Sequence, residues 1–316
     1  MEQKKLPSGF SIIICAYNAE KKLEKTLYYI SCLNVPGNLD IELILVDNNS
    51  TDKTQELAQA TWNQLGQPFP LHVVEESNPG LSNARRRGVL IAQYRYGIFC
   101  DDDNWLDENY LIYAREIFES NPHVGVIGGC SIPVSEVELP PWFYTKCHFY
   151  AVGVQADSDG DITWRKFVWG AGMCFLVSPL KEIYLSGIFH LSSDRKGADL
   201  TSGGDSEISA WFILLDFRLY YSNNLIYKHF MPEERLTDEY YSRLAAGLKS
   251  TKDYNSYLTV KKNLAIKVRN KNSALLFVAN YFFSILRLFR FFSDTIQIFG
   301  LDRKLRRIRK AILSKN

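Results

Sequence analysis

Residues 96–106 read YGIFCDDDNWL, and the fold turns on this stretch. Tyr96 to Cys100 make an apolar run of strand length, and three consecutive carboxylates, Asp101, Asp102 and Asp103, follow at once. Acids in a row repel one another in a cleft unless a cation offsets them. A solvated turn or a helix cap would tolerate them without a further partner. The alternative is a hard-cation site, in which two carboxylates and the oxygens of a diphosphate share Mg²⁺ or Mn²⁺. The strand in front and the aromatic Trp105 behind favour the cation site.

On both sides of this stretch, over residues 1–130, short apolar runs alternate with helical patterns. That alternation predicts an α/β fold in which strand and helix units wind into a parallel sheet. Phe10 to Cys15, Ile41 to Val46, Leu71 to Val74 and Val124 to Gly128 join Tyr96 to Cys100 as candidate strands. Glu20 to Leu33, Asp52 to Leu65, Leu81 to Tyr94 and Asp107 to Glu119 are candidate helices, the second capped by Thr51 or Ser50. The conspicuous polar residues stand just after strands: Tyr17 and Asn18, Asp47 to Asp52, Asn78, and Asp101 to Asp103. Open parallel sheets bind ligands outside the carboxyl ends of their strands, so one edge is expected to gather an acidic pocket. Pro133 to Asp161 is irregular and reads as a long functional connection. Glycine-rich runs follow at Trp169 to Gly172 and at Ser202 to Glu207, the latter opening a helical pattern. After Thr237 the composition turns helical and basic, which divides the chain into a body, 1–236, and an extension, 237–316.

The 316 residues are 46% hydrophobic and 14% aromatic, enough to bury one large core, which excludes a disordered or low-complexity chain. Six cysteines, none in a CxxC or zinc-type spacing, read as structural thiols. The start, MEQKKLPSGF, lacks an apolar signal region, so a cytoplasmic location is expected. The formal net charge of +2 hides an uneven distribution, because from Lys261 onward 14 Lys and Arg stand against 2 acidic residues. Such a tail attracts polyanions, whether nucleic acid or an anionic membrane.

Four segments, in order, carry a resemblance: SIIICAYNAEKKLEKTL from Ser11, LVDNNSTDKT from Leu45, NPGLSNARRRG from Asn78 and CDDDNWL from Cys100. Together they are similar to glycosyltransferase family 2 over Ser8 to Arg235. The resemblance implies the GT-A fold, a Rossmann-like, mostly parallel sheet flanked by helices, here with a helical C-terminal extension. It implies an inverting transferase that moves a sugar from a nucleotide-diphosphate donor, most commonly a UDP-sugar, to a hydroxyl of a glycan or lipid-linked glycan.

It also assigns roles. Ala16, Tyr17, Asn18 and Asp47 line the base and ribose of the donor, and Asn49 belongs with them. A carboxylate can accept a base N–H and ribose hydroxyls, which suits Asp47. Asn48 and Asn49 stand where many relatives have Asp and Gly. Arg85, near a helix start whose free N–H groups favour anions, is a contact to base or diphosphate, whereas Arg86 and Arg87 point to other faces. Asp101 lies near the ribose, Asp103 ligates Mn²⁺ or Mg²⁺, and Asp102 helps to position them. The metal offsets charge on the departing nucleoside diphosphate.

In GGDSE, Asp205 matches the family's general base, which takes the acceptor proton as oxygen attacks from the face opposite the leaving group. Many relatives have Glu-Asp there; this chain has Gly204 before Asp205, the first choice for the catalytic base, with Glu207 as its support or understudy. His229 in LIYKHF is a ligand to the metal or diphosphate, or a packed residue, and PEERLT with Arg235 resembles a segment that folds over the donor. Trp142, Trp164 and Trp169 offer faces to sugar rings or belong to the core, with Trp169 placed at the donor. Gly170 and Gly172 would let backbone approach a ligand.

In the tail, Ser273 to Phe292 is apolar with a polar stripe on one helical face, too short and too charged for a span. It suits a membrane interface or the pairing of two copies. Leu301, Leu305, Ile308 and Ile312 form a second apolar face among six basic residues, suited to anionic lipid or to capping the body. The expectation is a peripheral protein at the inner face of the cell membrane, with no nucleic-acid partner. The competing readings are a non-enzymatic membrane-surface adaptor on a degenerate transferase domain and a sugar nucleotidyltransferase. The absence of GxGxxG after the first strand disfavours a nicotinamide-dependent oxidoreductase.

Overall fold

The computed structural model describes residues 6–37, 39–188, 190, 194–197, 200–254, 304–305 and 307–310. Strands β1 (Gly9–Ala16), β2 (Asp40–Asp47), β3 (Leu71–Glu75) and β4 (Tyr96–Asp101) are mutually parallel and lie in the order β3-β2-β1-β4. The segments GFSIIICA and DIELILVD are almost wholly buried, as parallel strands covered on both faces require. Mid-strand in β2, buried Glu42 accepts hydrogen bonds from Ser11 Oγ (2.6 Å) and the Gln93 N–H (2.7 Å).

Helices α1 (Leu23–Ser31), α2 (Thr54–Gln64) and α4 (Tyr110–Ser120) bury their apolar residues on one face of the sheet. On the other face lie α3 (Leu81–Ile91), α6 (Val177–Leu185) and α7 (Gly204–Leu214). The strand order therefore reverses beside β1, the switch point at which doubly wound sheets bind ligands.

Beyond β4 the sheet mixes directions. Antiparallel β8 (Cys174–Leu176) joins β4 to β6 (Val124–Val134), and β9 (Arg218–Phe230) runs parallel to β6. Short β5 (Asn104–Leu106) and β7 (Gly160–Asp161) pair antiparallel with β9. The irregular stretch after Pro133 includes α5 (Pro141–Lys146), which opens on a proline in its first turn, where the missing N–H costs nothing. Phe143 and Tyr150 then pack with Leu244 of α8 (Asp238–Tyr254) in a third, smaller core.

Two sequence expectations are corrected. Neither Ser50 nor Thr51 caps α2: Ser50 Oγ accepts the Asn18 N–H (3.0 Å), the Thr51 N–H donates to Asn18 Oδ1 (2.8 Å), and Asp52 Oδ1 accepts the Thr54 N–H (3.1 Å). The face of Leu305 and Ile308 does not await lipid. Both residues are buried in the core cluster that holds Tyr184 and Ile188, and Lys304 Nζ donates to the Gly187 carbonyl (3.3 Å). The apolar stretch at 273–292 lies outside the described residues. No helix among the described residues is long and apolar enough to cross a membrane.

Candidate active site

Strand register assembles the site. Ala16 pairs with Asp47 across β1 and β2, and Cys15 with Asp101 across β1 and β4, so the polar residues after these strands meet at one edge. On the far side, Asn104 of β5 pairs with His229 of β9, which brings the histidine beside the acidic triplet. Asp205 enters from the first turn of α7. Between them opens a cleft of about 1340 Å³.

The three carboxylates do different things. Asp101, at the end of β4, keeps an oxygen 3.9 Å from Arg85 Nη2 and lines the cleft. Asp102 takes Lys22 Nζ at 2.7 Å, while its carbonyl accepts Thr26 Oγ1 (2.8 Å). Burial pushes its carboxyl up to about 6, against the pull of Lys22. Asp103 faces Arg235 Nη1 at 2.9 Å and His229 Nε2 at 3.5 Å. Burial alone would raise its carboxyl, but Arg235 and His229 outweigh it and hold the group well below the usual range.

Arg85 is buried in the cleft floor, over the Phe99 ring at 5.1 Å, with Nη1 3.6 Å from Asp194 and Nε without a hydrogen-bond partner. Burial opposes its charge, yet Asp194 and Asp101 hold it more firmly protonated than usual. Asp205 accepts the N–H of Gly170 (3.2 Å) and of Ser206 (2.7 Å). Burial raises its carboxyl, Arg85 lowers it, Asp194 raises it, and the net shift is upward. A carboxylate held reluctantly charged beside open space is suited to accept a proton.

No group of three or more His, Cys, Asp or Glu side chains among the described residues forms a ready metal cage. Asp103 and His229 nonetheless put a buried carboxylate and a buried imidazole side by side, and His229 Nδ1 lacks a hydrogen-bond partner. Mg²⁺ is commonly held by one or two carboxylates plus substrate phosphates; Asp103 fits that mode, and the imidazole of His229 is the donor a softer divalent ion would use. Lys22 and Arg235 occupy the neighbouring oxygens.

Of the expected site residues, Ala16, Tyr17, Asn49, Arg85, Asp101, Asp102, Asp103, Trp169, Asp205 and His229 line the cleft. Three serve elsewhere. Asn18, in the left-handed region (φ 49°), spends its side chain on the Thr51 N–H. Asp47 accepts from Gln55 Nε2 (2.6 Å) and the Ser50 N–H (3.3 Å), so it fixes the turn after β2. Glu207 is no understudy to Asp205. Two residues on, it lies about 200° around the helix and is buried against His190 Nδ1 at 2.7 Å.

Three further expectations are refined. Gly170 and Gly172 are small for internal packing: a Cβ at Gly170 would meet the Arg85 guanidinium, and one at Gly172 the Tyr110 hydroxyl at 2.7 Å. Trp142 packs on Tyr241, and Trp164 is 65% exposed. The sequence reading missed Lys22 and Asp194. Lys22 stands four residues before Thr26 on one helical face, a signal open to inspection. Asp194, in an aperiodic loop, offered none.

A doubly wound sheet with an acidic turn after β4 and an aspartate opening the helix across the cleft defines a GT-A glycosyltransferase architecture. The sequence profile described as Glycosyl transferase family 2 matches residues 11–182, more than half of the chain, which therefore belongs to that family. The chain is 29% identical over 136 residues to the minor teichoic acid biosynthesis protein GgaB of Bacillus subtilis. That alignment covers 42% of this chain and only 14% of GgaB. Among solved structures, S. aureus TarS (residues 1–349) in complex with UDP-GlcNAc superposes with TM-score 0.56 at 16% identity, over 82% of this chain and 66% of that one. The mannosyltransferase PcManGT of Pyrobaculum calidifontis, in complex with GDP-Man and Mn²⁺, gives 0.52 at 16% identity, over 97% of this chain and 86% of that one. At such identities these two likenesses establish the shared fold.

Proposed function

We propose that the protein transfers a sugar from a nucleotide-diphosphate donor to a hydroxyl of a glycan or lipid-linked glycan, with inversion at the anomeric carbon. The observation that carries this reading is one cleft with Asp101 and Asp103 on one side, Asp205 on the other and Arg85 between them. Asp103 and His229 would hold Mn²⁺ or Mg²⁺, which would offset charge on the departing nucleoside diphosphate. Lys22 and Arg235, paired with Asp102 and Asp103, are the cations nearest to receive phosphate oxygens. Ala16, Tyr17 and Asn49 wall the nucleoside, and Asp205 takes the acceptor proton. Neighbours of this fold bind UDP-GlcNAc and GDP-Man, and GgaB is named for teichoic acid biosynthesis, which favours a nucleotide-sugar donor and a surface polymer acceptor. The apolar stretch at 273–292 and its basic flanks suit attachment to an anionic membrane face.

The test is transfer by Asp205→Asn. Donor affinity should persist while turnover falls on the order of 10² to 10⁴, the usual share of general-base catalysis. Product NMR should give an inverted anomeric centre; retention would refute single displacement.

A further inference from the structure

Position 204 lies in the first turn of α7, directly before Asp205, and is glycine where the family resemblance leads one to expect an acid. The structure accounts for the space. A Cβ on Gly204 would collide with Asp194 Oδ2 and lie 2.9 Å from Ser82 Oγ. Asp194 is buried, accepts from Ser82 Oγ (3.2 Å) and stands 3.6 Å from Arg85 Nη1. Its backbone is fixed as well, since its carbonyl accepts Thr201 Oγ1 (3.3 Å). A carboxylate from the loop before α7 thus lies against the helix start, where a side chain at 204 would begin.

The same carboxylate reaches the proposed base through two short links. Arg85 sits between Asp101 and Asp194, and Gly170 closes over its guanidinium with no room for a Cβ. The Gly170 N–H donates to Asp205. We propose that Asp194 is a positioning residue that supplies the carboxylate position 204 lacks, anchoring Arg85 so that Asp205 is left free to accept the acceptor proton. This rests on the reading of Asp205 as base. The charged groups acting on Asp205 are Arg85 from α3, Arg165 from the turn before Trp169, and Asp194; Glu207 is turned away to His190. With Asp194 neutral, Arg85 is released toward Asp205 and the base weakens.

The test is a ¹³C-carboxyl NMR titration of aspartate-labelled protein, with the Asp205 resonance assigned by its loss in Asp205→Asn. Asp194→Asn, which keeps shape and the Ser82 contact, should move the Asp205 midpoint to lower pH. Hydrolysis of UDP-GlcNAc or GDP-mannose should then fall about ten-fold in kcat, part of a general base's contribution, with its acid limb moved the same way and KM little changed. The double variant Asp194→Ala/Gly204→Glu returns the charge from the other side and should restore the midpoint, whereas Asp194→Ala alone should not. An unmoved Asp205 midpoint in Asp194→Asn, or a double variant no better than Asp194→Ala, would overturn the proposal. Full hydrolysis by Asp205→Asn would instead sink the base assignment, while the titration still judges Asp194.

Discussion

Asp205 is buried, and its carboxyl is raised above the usual range by that burial despite Arg85. An acid whose folded-state pKa exceeds its unfolded value binds more protons in the native state, so stability falls as pH rises through that interval. The deficit is complete above the folded pKa and absent below the unfolded one, about 3.9 for aspartate. Asp205→Asn should therefore raise Tm at neutral pH, and the gain should vanish below about pH 4. Thermal scans at the two pH values check this, and an equal gain at both would mean that Asn stabilises for another reason. Stability gained as turnover is lost is the signature expected of a functional carboxylate. Residue identities were legible here as types and positions, because DDD and GGDSE follow a strand and open a helix. Their partners were not. Lys22 had only its helical spacing to Thr26 and Arg235 only its place in PEERLT, and Asp194 reaches the site through a tertiary contact that no spacing encodes.

At the scale of elements, the parallel half was readable because its strands are continuous apolar runs separated by amphipathic helices. In the mixed half only β6 was, from its apolar start at Val124 to Gly128. β8 spans three residues and β5 three, too short for periodicity to register, and both owe their existence to pairing with β4, β6 and β9. The second basic stretch of the tail misled for a related reason, since a face that suits lipid equally suits an apolar groove on the body. Leu305 and Ile308 occupy that groove, so Leu305→Ala should cost about 2–5 kcal/mol, the usual range for a buried truncation. Chemical denaturation without lipid measures it. The apolar stretch 273–292 should behave oppositely: Phe283→Asp should leave Tm unchanged and abolish flotation with anionic liposomes. A Leu305→Ala protein as stable as wild type, or a Phe283→Asp protein that still floats, would contradict this division of the tail.

Across the whole molecule, the fold brings the acidic edge after β4 and Asp205 of α7 to one cleft and fills it with its own cations. Lys22 and Arg235 pair with the carboxylates that a metal-bound diphosphate would engage. On the proposed reading, a metal at Asp103 would compete with Arg235 for the carboxylate, and the phosphates of a nucleotide would receive the cation so released. Their binding should be mutually dependent, and that dependence should run through Asp103. The direct measurement is calorimetric titration of UDP and of GDP into the protein, with and without Mn²⁺, in wild type and Asp103→Ala. One nucleotide should bind at least about ten-fold more tightly with Mn²⁺, a coupling of about 1.4 kcal/mol, and Asp103→Ala should lose that gain while remaining folded. Equal affinities with and without the metal in the wild type would contradict the account.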